Sequence, residues 1–377
     1  LDENCQVSII CITYNQIAYL PKAVESMLSQ KTDFEYEIII HDDDSTDGTR
    51  KYIEELILEY PDKIRAVLED ENQYSKGTDF FAYMIRNVAK GKYIATCEGD
   101  DYWIDDNKLQ LQYEALEKHP ECDMCACWGC TVTEDGKEVS QIRPIEHDGV
   151  LPVEDVILGG GQYLVTASLF LRKKIYDNML LFEKVIPLDY AQQIKGALRG
   201  GIYYIDRKMA VYRRYSKGSW TNEVLKDNIR LSKQWDKEKQ ILETLDVDTD
   251  YKYHSAIVER LKAYVPFETQ LEDNKKEVIS LLREVDGSCY LWGLGRRGKS
   301  LEHFIDMVGL DIDGVCDAIN QNIGEKTEYG NCIFSTDYVL ENADNIIAST
   351  QFAYDDLMKL NLEHKTILNF QQYMPYG

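Results

Sequence analysis

Over the first hundred residues, short apolar runs alternate with stretches whose apolar positions recur at helical spacing. Val7–Ile12 (VSIICI) reads as a strand and is followed by the polar turn Thr13-Tyr14-Asn15. Leu20, Val24, Met27 and Leu28 then share one helical face, with Pro21 suited to a first helical turn. Glu37–Ile40 predicts a second strand that ends in the acidic turn His41–Gly48, and Tyr52, Ile53, Leu56 and Ile57 mark the next helix. Ala66–Leu68 and Lys92–Cys97 supply two more strands. Strands separated by helices predict βαβ units and a largely parallel sheet. Such sheets hold ligands at the carboxyl ends of their strands. The turns after Ile12, Ile40 and Cys97 are therefore where chemistry is expected.

The texture changes after Ser219. Asn228–Glu243 and Tyr253–Val265 are charged, helical and poor in Gly and Pro, whereas Ser288–Trp292, Gly314–Cys316, Ile346–Ala348 and Thr366–Leu368 return to the strand pattern. The expected organisation is an α/β domain over 1–220, a helical connector over 221–286 and a smaller α/β domain over 287–377.

Charge narrows the functional classes. With 42 Lys+Arg against 66 Asp+Glu the formal charge is −24, which repels nucleic-acid phosphates and anionic lipid. No apolar run approaches the length needed to span a bilayer. The opening residues Leu1-Asp2-Glu3-Asn4 lack the basic and apolar stretches of a secretory leader, and ten dilute cysteines suit a reducing compartment. A cytoplasmic protein is expected, without nucleic-acid partners.

Two carboxylate clusters follow strands: Asp42-Asp43-Asp44, and Glu98-Gly99-Asp100-Asp101. Like charges this close call for a cation or for hydrogen-bond donors. Hard oxygen ligands of this type suit Mg²⁺ or Mn²⁺, commonly shared with a substrate diphosphate. An isolated acidic turn would as readily be a solvated loop.

Here the turns stand within three ordered blocks, VSIICITYNQIAYLPKAVESMLSQ, EIIIHDDDSTDGT and AKGKYIATCEGDDYW. Together they resemble the family 2 glycosyltransferases of GT-A fold over roughly residues 5–120, and more weakly to about 220. The resemblance implies inverting transfer of a sugar from a nucleotide-diphosphate donor, with Mn²⁺ or Mg²⁺, in polysaccharide or glycoconjugate assembly. It puts Thr13, Tyr14 and Asn15 along the nucleotide base, and Asp43 as acceptor of the base imide N–H, which would favour uracil or thymine over adenine and hence a UDP- or dTDP-sugar, UDP foremost. Glu98 and Asp100 become the ribose- and metal-contacting ends of a D-x-D element, with Asp101 beside them. Asp189, in Pro187-Leu188-Asp189-Tyr190, becomes the catalytic base, a position where Asp would also suit a helix N-terminus. Arg213, Lys217 and Trp220, in AVYRRYSKGSW, become donor contacts; a solvated basic loop is the plainer account of Arg213, Arg214 and Lys217. The acceptor would be a glycan or a lipid-linked sugar, reached from the inner face of the membrane.

The chain departs from the family pattern in several places. Tyr215 stands where many relatives carry a His able to complete the metal shell, and Asp44 where Gly or Ala is common. The stretch before Ala89-Lys90-Gly91 lacks an Arg-Asn pair at the distance usual in the family, so donor contacts through Asn72 or Lys76 stay open. A sugar-nucleotide sensor without turnover, or a nucleotidyltransferase, remains as an alternative; the second lacks the expected Gly-rich triphosphate loop.

Two further motifs point elsewhere. Cys122, Cys125, Cys127 and Cys130 have metal-like spacing, but strand geometry over Met124–Val132 would send Cys130 to the face opposite Cys125 and Cys127. WGLGRRGKS (Trp292–Ser300) fits both the dinucleotide fingerprint and a phosphate loop, with Asp317 at the end of the next strand. The last ninety residues resemble the Rossmann-like domains appended to bacterial carbohydrate enzymes, where packing or assembly, including a homodimer, is the favoured role over nucleotide sensing.

Overall fold

The computed structural model describes residues 5–77, 79–184, 189–214, 224, 228–317, 322–360, 362 and 364–375. The chain divides into two compact units, Leu1–Arg260 and Leu261–Gly377.

The first unit is built on ten strands: β1 (Cys5–Thr13), β2 (Glu35–Asp42), β3 (Ile64–Leu68), β4 (Tyr93–Thr96), β5 (Tyr102–Trp103), β6 (Met124–Val132), β7 (Glu138–Ile142), β8 (Gly149–Leu151), β9 (Phe170–Arg172) and β10 (Ile202–Arg213). Their order is β3-β2-β1-β4-β9-β6-β10-β5, with β7 beside β6 and β8 beside β10. Strands β3, β2, β1 and β4 are parallel, as the alternating pattern predicts. The short β9 runs antiparallel between β4 and β6, and β6 and β10 are again parallel. Because β1 pairs Thr13 with Asp42 and Ile10 with Thr96, the turns after β1, β2 and β4 emerge at one end of the sheet.

Burial explains these elements. Val7, Ile9 and Cys11 of β1 pack with Ile38 and Ile40 of β2 beneath Leu20, Val24 and Met27 of the helix Leu20–Leu28. Each such fully buried aliphatic side chain contributes about 1.5–3 kcal/mol. On the other face Ser8 and the backbone N–H of Lys90 both donate to the buried carboxylate of Glu37, which also pairs with Arg65 at 2.9 Å. A Cβ on Gly91 would lie 2.4 Å from the backbone N of Ser8, so the chain before β4 can lie directly on β1 only with glycine there.

The cysteine motif is core material. Cys122, Cys125 and Cys127 join the main apolar cluster, while Cys130 packs with Tyr102, Val132 and Val211. Burial pushes the Cys122 and Cys127 thiols up to about 11.

The second unit holds five parallel strands, β11 (Cys289–Trp292), β12 (Gly314–Cys316), β13 (Ile333–Phe334), β14 (Asn345–Ala348) and β15 (Thr366–Asn369), ordered β13-β12-β11-β14-β15. After β11, Gly293 has φ +99°, and a Cβ on Gly298 would fall 1.8 Å from the Gly293 carbonyl oxygen. Phe267, Gly293, Gly295, Arg296, Arg297, Gly298, Ser349 and Thr350 line a cavity of about 240 Å³. Asp317, the residue expected to reach a ribose, accepts the Leu294 N–H at 2.8 Å and so ties down the glycine turn. Among the described residues, no helix is long and apolar enough to cross a membrane.

Candidate functional site

The turns after β1 and β2 form one stitched structure. The Asp43 N–H donates to the Thr13 carbonyl at 3.1 Å, the Asn15 N–H to Ser45 Oγ at 2.8 Å, and the Thr46 N–H to Asn15 Oδ1 at 2.8 Å. Asn15 (φ 51°) and Asp44 (φ 67°) are both left-handed, a conformation that Asn and Asp accept better than other side chains. The turn requires positive φ at position 44, which aspartate tolerates. Thr13 is buried with its hydroxyl bonded to Gln16, while Tyr14 is 50% exposed above the turn.

Asp43 is 2% exposed. Its Oδ1 accepts the Gln73 N–H at 2.6 Å and its Oδ2 the Tyr74 N–H at 3.1 Å. Asn72 donates to the Asp43 carbonyl at 3.2 Å, and Lys76 pairs with Glu71. A carboxylate offers about four lone-pair sites, so two backbone bonds leave capacity for a ligand donor.

The acidic turn after β4 is held against β1. The Gly99 N–H donates to the Ile12 carbonyl at 2.9 Å, and a Cβ on Gly99 would lie 2.5 Å from Gln16 Oε1 and 2.6 Å from Thr13 Oγ1. Glycine is needed here for close approach, and that approach brings Glu98 and Asp100 beside the Thr13–Asn15 turn.

Asp101 and Arg213 lie underneath. Asp101, 1% exposed, accepts the Arg213 N–H at 2.9 Å. Arg213, 6% exposed, donates from Nε to the Asp100 carbonyl at 3.1 Å and from Nη1 to the Glu134 carbonyl at 3.0 Å. Its guanidinium also lies over the rings of Tyr19 and Tyr102, at 4.9 and 5.5 Å. In this arrangement Arg213 fixes the backbone of the acidic turn. Lys217, Trp220 and Tyr215 lie outside the described residues.

Asp189 opens the helix Asp189–Ala197, reaches solvent, and accepts the Thr166 hydroxyl on Oδ2 at 2.7 Å. Electrostatics connect it to the acidic turn. Burial first, then the charges of Asp189, Asp101 and Asp100, push the Glu98 carboxyl well above the usual range. Burial, Asp100 and Asp189 raise Asp101 well above it too, against the pull of Arg213. Although Asp189 is open to solvent on one side, the protein packed around the rest of its carboxyl raises it, opposed by the Thr166 hydrogen bond. Three carboxylates of one turn and a fourth, Asp189, about ninety residues further along the chain thus act on one another.

Such a donor set fits a hard divalent cation. Among the described residues, no three His, Cys, Asp or Glu side chains already stand as a metal-binding group. Mg²⁺ commonly relies on one or two carboxylates plus substrate phosphates, and Glu98 with Asp100 could serve as that pair. Sequence reasoning missed Thr166 and Glu134, whose roles depend on contacts distant in sequence; neither lies in a local pattern that could have marked it.

A mixed sheet whose parallel strands β1, β2 and β4 gather acidic turns at their carboxyl ends defines an α/β protein of the nucleotide-sugar transferase type. The glycosyl transferase family 2 model matches residues 8–216, over half of the chain, and the chain belongs to that family. Uncharacterised proteins of Mycobacterium bovis and Mycobacterium tuberculosis are 35% identical over 214 residues, 57% of this chain and 60% of theirs. The chain therefore spans about 60% of the length of those relatives. The UDP-Glc:alpha-D-GlcNAc-diphosphoundecaprenol beta-1,3-glucosyltransferase WfaP of Escherichia coli is 40% identical over 111 residues, 29% of this chain and 41% of its own. Among solved structures, Staphylococcus aureus TarS 1–349 in complex with UDP-GlcNAc has a TM-score of 0.51 at 15% identity, covering 80% of this chain and 81% of that one. That likeness extends to the fold.

Proposed function

We propose that this chain transfers a sugar, with inversion, from a UDP-sugar to a hydroxyl of a glycan or lipid-linked acceptor. The observation that carries this reading is that Asp189 accepts the Thr166 hydroxyl at 2.7 Å while the Thr166 carbonyl accepts the hydroxyl of Thr96, two residues before Glu98, which supports a base candidate close to the acidic turn. UDP-GlcNAc in TarS and the UDP-Glc and diphosphoundecaprenol in the name of WfaP support the choice of donor and acceptor class.

In this reading Thr13, Tyr14, Asn15 and Asp43 receive the uridine, the Asp43 carboxylate accepting the imide N–H. Glu98 and Asp100 would hold Mn²⁺ or Mg²⁺ against the diphosphate. The ion would supply positive charge to the departing phosphate oxygens. Asp189 takes the proton of the acceptor hydroxyl as that oxygen bonds to the anomeric carbon. The bond from that carbon to the diphosphate oxygen breaks on the opposite face, and UDP leaves with its electron pair. Arg213 keeps the acidic turn in place during this exchange.

Asp189→Asn tests the assignment, because the amide keeps the shape but cannot accept the proton. UDP release from UDP-glucose or UDP-N-acetylglucosamine should fall about 10²–10⁴-fold, with UDP affinity nearly unchanged. Turnover at the wild-type rate would refute Asp189 as base. UDP-sugar binding without turnover in the wild type would favour the sensor reading.

A further inference from the structure

Thr166 begins a single turn of tight helix, Thr166–Ser168, whose three carbonyl groups are all engaged by side chains, two from the sheet and one from the helix Lys108–Lys118. The Thr166 carbonyl accepts the hydroxyl of Thr96 at the end of β4. The Ala167 carbonyl accepts Trp103 Nε1 at 2.8 Å, and the Ser168 carbonyl accepts Gln112 Nε2 at 2.7 Å. Within the turn, the Ser168 N–H donates to the Val165 carbonyl at 2.8 Å and the Leu169 N–H to the Thr166 carbonyl at 3.1 Å. Ala167 and Ser168 are fully buried. The Thr166 side chain is half-buried and donates its hydroxyl to Asp189 Oδ2 at 2.7 Å.

These bonds form a chain from the strand that carries the acidic turn to the acid that opens the helix Asp189–Ala197. Thr96 lies two residues before Glu98 and grips the backbone of Thr166, whose side chain grips Asp189. Inversion needs the base and the leaving diphosphate on opposite faces of the anomeric carbon. The distance between Asp189 and the Glu98–Asp100 element therefore matters to the rate, and a misplacement of about 1 Å can cost about 10²-fold.

We infer that Thr166 is a positioning residue for sugar transfer: its hydroxyl fixes one carboxylate oxygen of Asp189, and the Thr96-anchored turn sets that carboxylate at a constant distance from the donor diphosphate. This rests on the proposal that Asp189 is the base. The hydroxyl aims the carboxylate and does not itself touch the reacting atoms.

The test compares Thr166→Val, Thr166→Ser and Asp189→Asn in the full chain. UDP release is followed with a panel of UDP-sugars, with water or p-nitrophenyl N-acetylglucosaminide as acceptor and Mn²⁺ present. UDP affinity is read by calorimetry, and thermal unfolding checks the fold. Valine keeps the shape and loses the hydrogen bond, so kcat should fall about 10- to 100-fold while donor KM and UDP affinity stay within about twofold. Serine retains the hydroxyl and should recover most of kcat. Wild-type kcat in Thr166→Val would overturn the inference. So would a parallel loss of UDP affinity or thermal stability, or failure of serine to restore the rate, since those mark a merely structural threonine. Loss in Asp189→Asn with none in Thr166→Val would leave the base assignment standing and remove the positioning role. Full activity in Asp189→Asn, or no UDP release from any donor by the wild type, would sink the reading beneath it.

Discussion

At the end of β2, Asp43 gives its two carboxylate oxygens to the backbone N–H groups of Gln73 and Tyr74. At the end of β4, Glu98 and Asp101 are driven toward their protonated forms by burial and by one another's neighbours. The two turns look alike in composition, each a run of acids after an apolar strand. In the first, Asp43 is satisfied by the fold and therefore helps to hold it. At the other, burial and neighbouring carboxylates crowd Glu98, which is a cost in the absence of a ligand and a source of affinity for a cation with a diphosphate. Carboxylates at a strand end are thus informative only once their donors have been accounted for.

This contrast can be broken by substitution. The largest effect on stability is expected at the satisfied turn: Asp43→Ala removes the acceptor for two backbone N–H groups and should cost about 1–3 kcal/mol in chemical unfolding without ligand. A stability equal to wild type would mean that those bonds contribute nothing and that Asp43 serves ligand alone. The smallest effect is expected one residue later. Asp44→Gly relieves a left-handed aspartate but loosens the unfolded chain, so the two terms oppose and the net change should stay within about 1 kcal/mol. Asp44→Val should destabilise by more than Asp44→Gly, because a β-branched residue at φ 67° is strained. Equal stabilities for those two variants would remove the conformational account of position 44.

Local pattern carried the strands and helices around the first three turns, because βαβ units place their apolar runs and polar ends in order. It also carried the convergence of the Thr13–Asn15, Asp42–Asp44 and Glu98–Asp101 turns, which follows once the strands are parallel and adjacent. The antiparallel β9 was not legible: three residues, Phe170–Arg172, are too few to show a period. Nor was the burial of Arg213, since AVYRRYSKGSW reads as a basic loop until β10 is paired with β6 and β5. Thr166 escaped for the same reason, as its meaning lies in bonds to Thr96 and Asp189, 70 and 23 positions away. In the second unit, WGLGRRGKS does form a glycine turn before the helix Arg296–Met307. Asp317, however, is bonded to Leu294 within that turn, a contact that spacing alone does not reveal.

The most direct measurement is thermal unfolding of wild type and Glu98→Gln across pH 5–8, with chelator and then with Mn²⁺ plus UDP. A carboxyl whose folded pKa is raised binds more protons in the folded than in the unfolded chain above the ordinary carboxylate range. Its contribution therefore falls as pH rises through that window toward the raised value. With chelator, Glu98→Gln should exceed wild type in Tm, by roughly a few degrees, and the gap should widen with pH. With Mn²⁺ and UDP the order should reverse, because ligand that binds the folded state stabilises the wild type and the variant lacks one of its carboxylates. A Glu98→Gln Tm below wild type at every pH in chelator, with the same response to Mn²⁺ and UDP in both chains, would contradict the account of Glu98 as uncompensated charge awaiting a cation and a diphosphate.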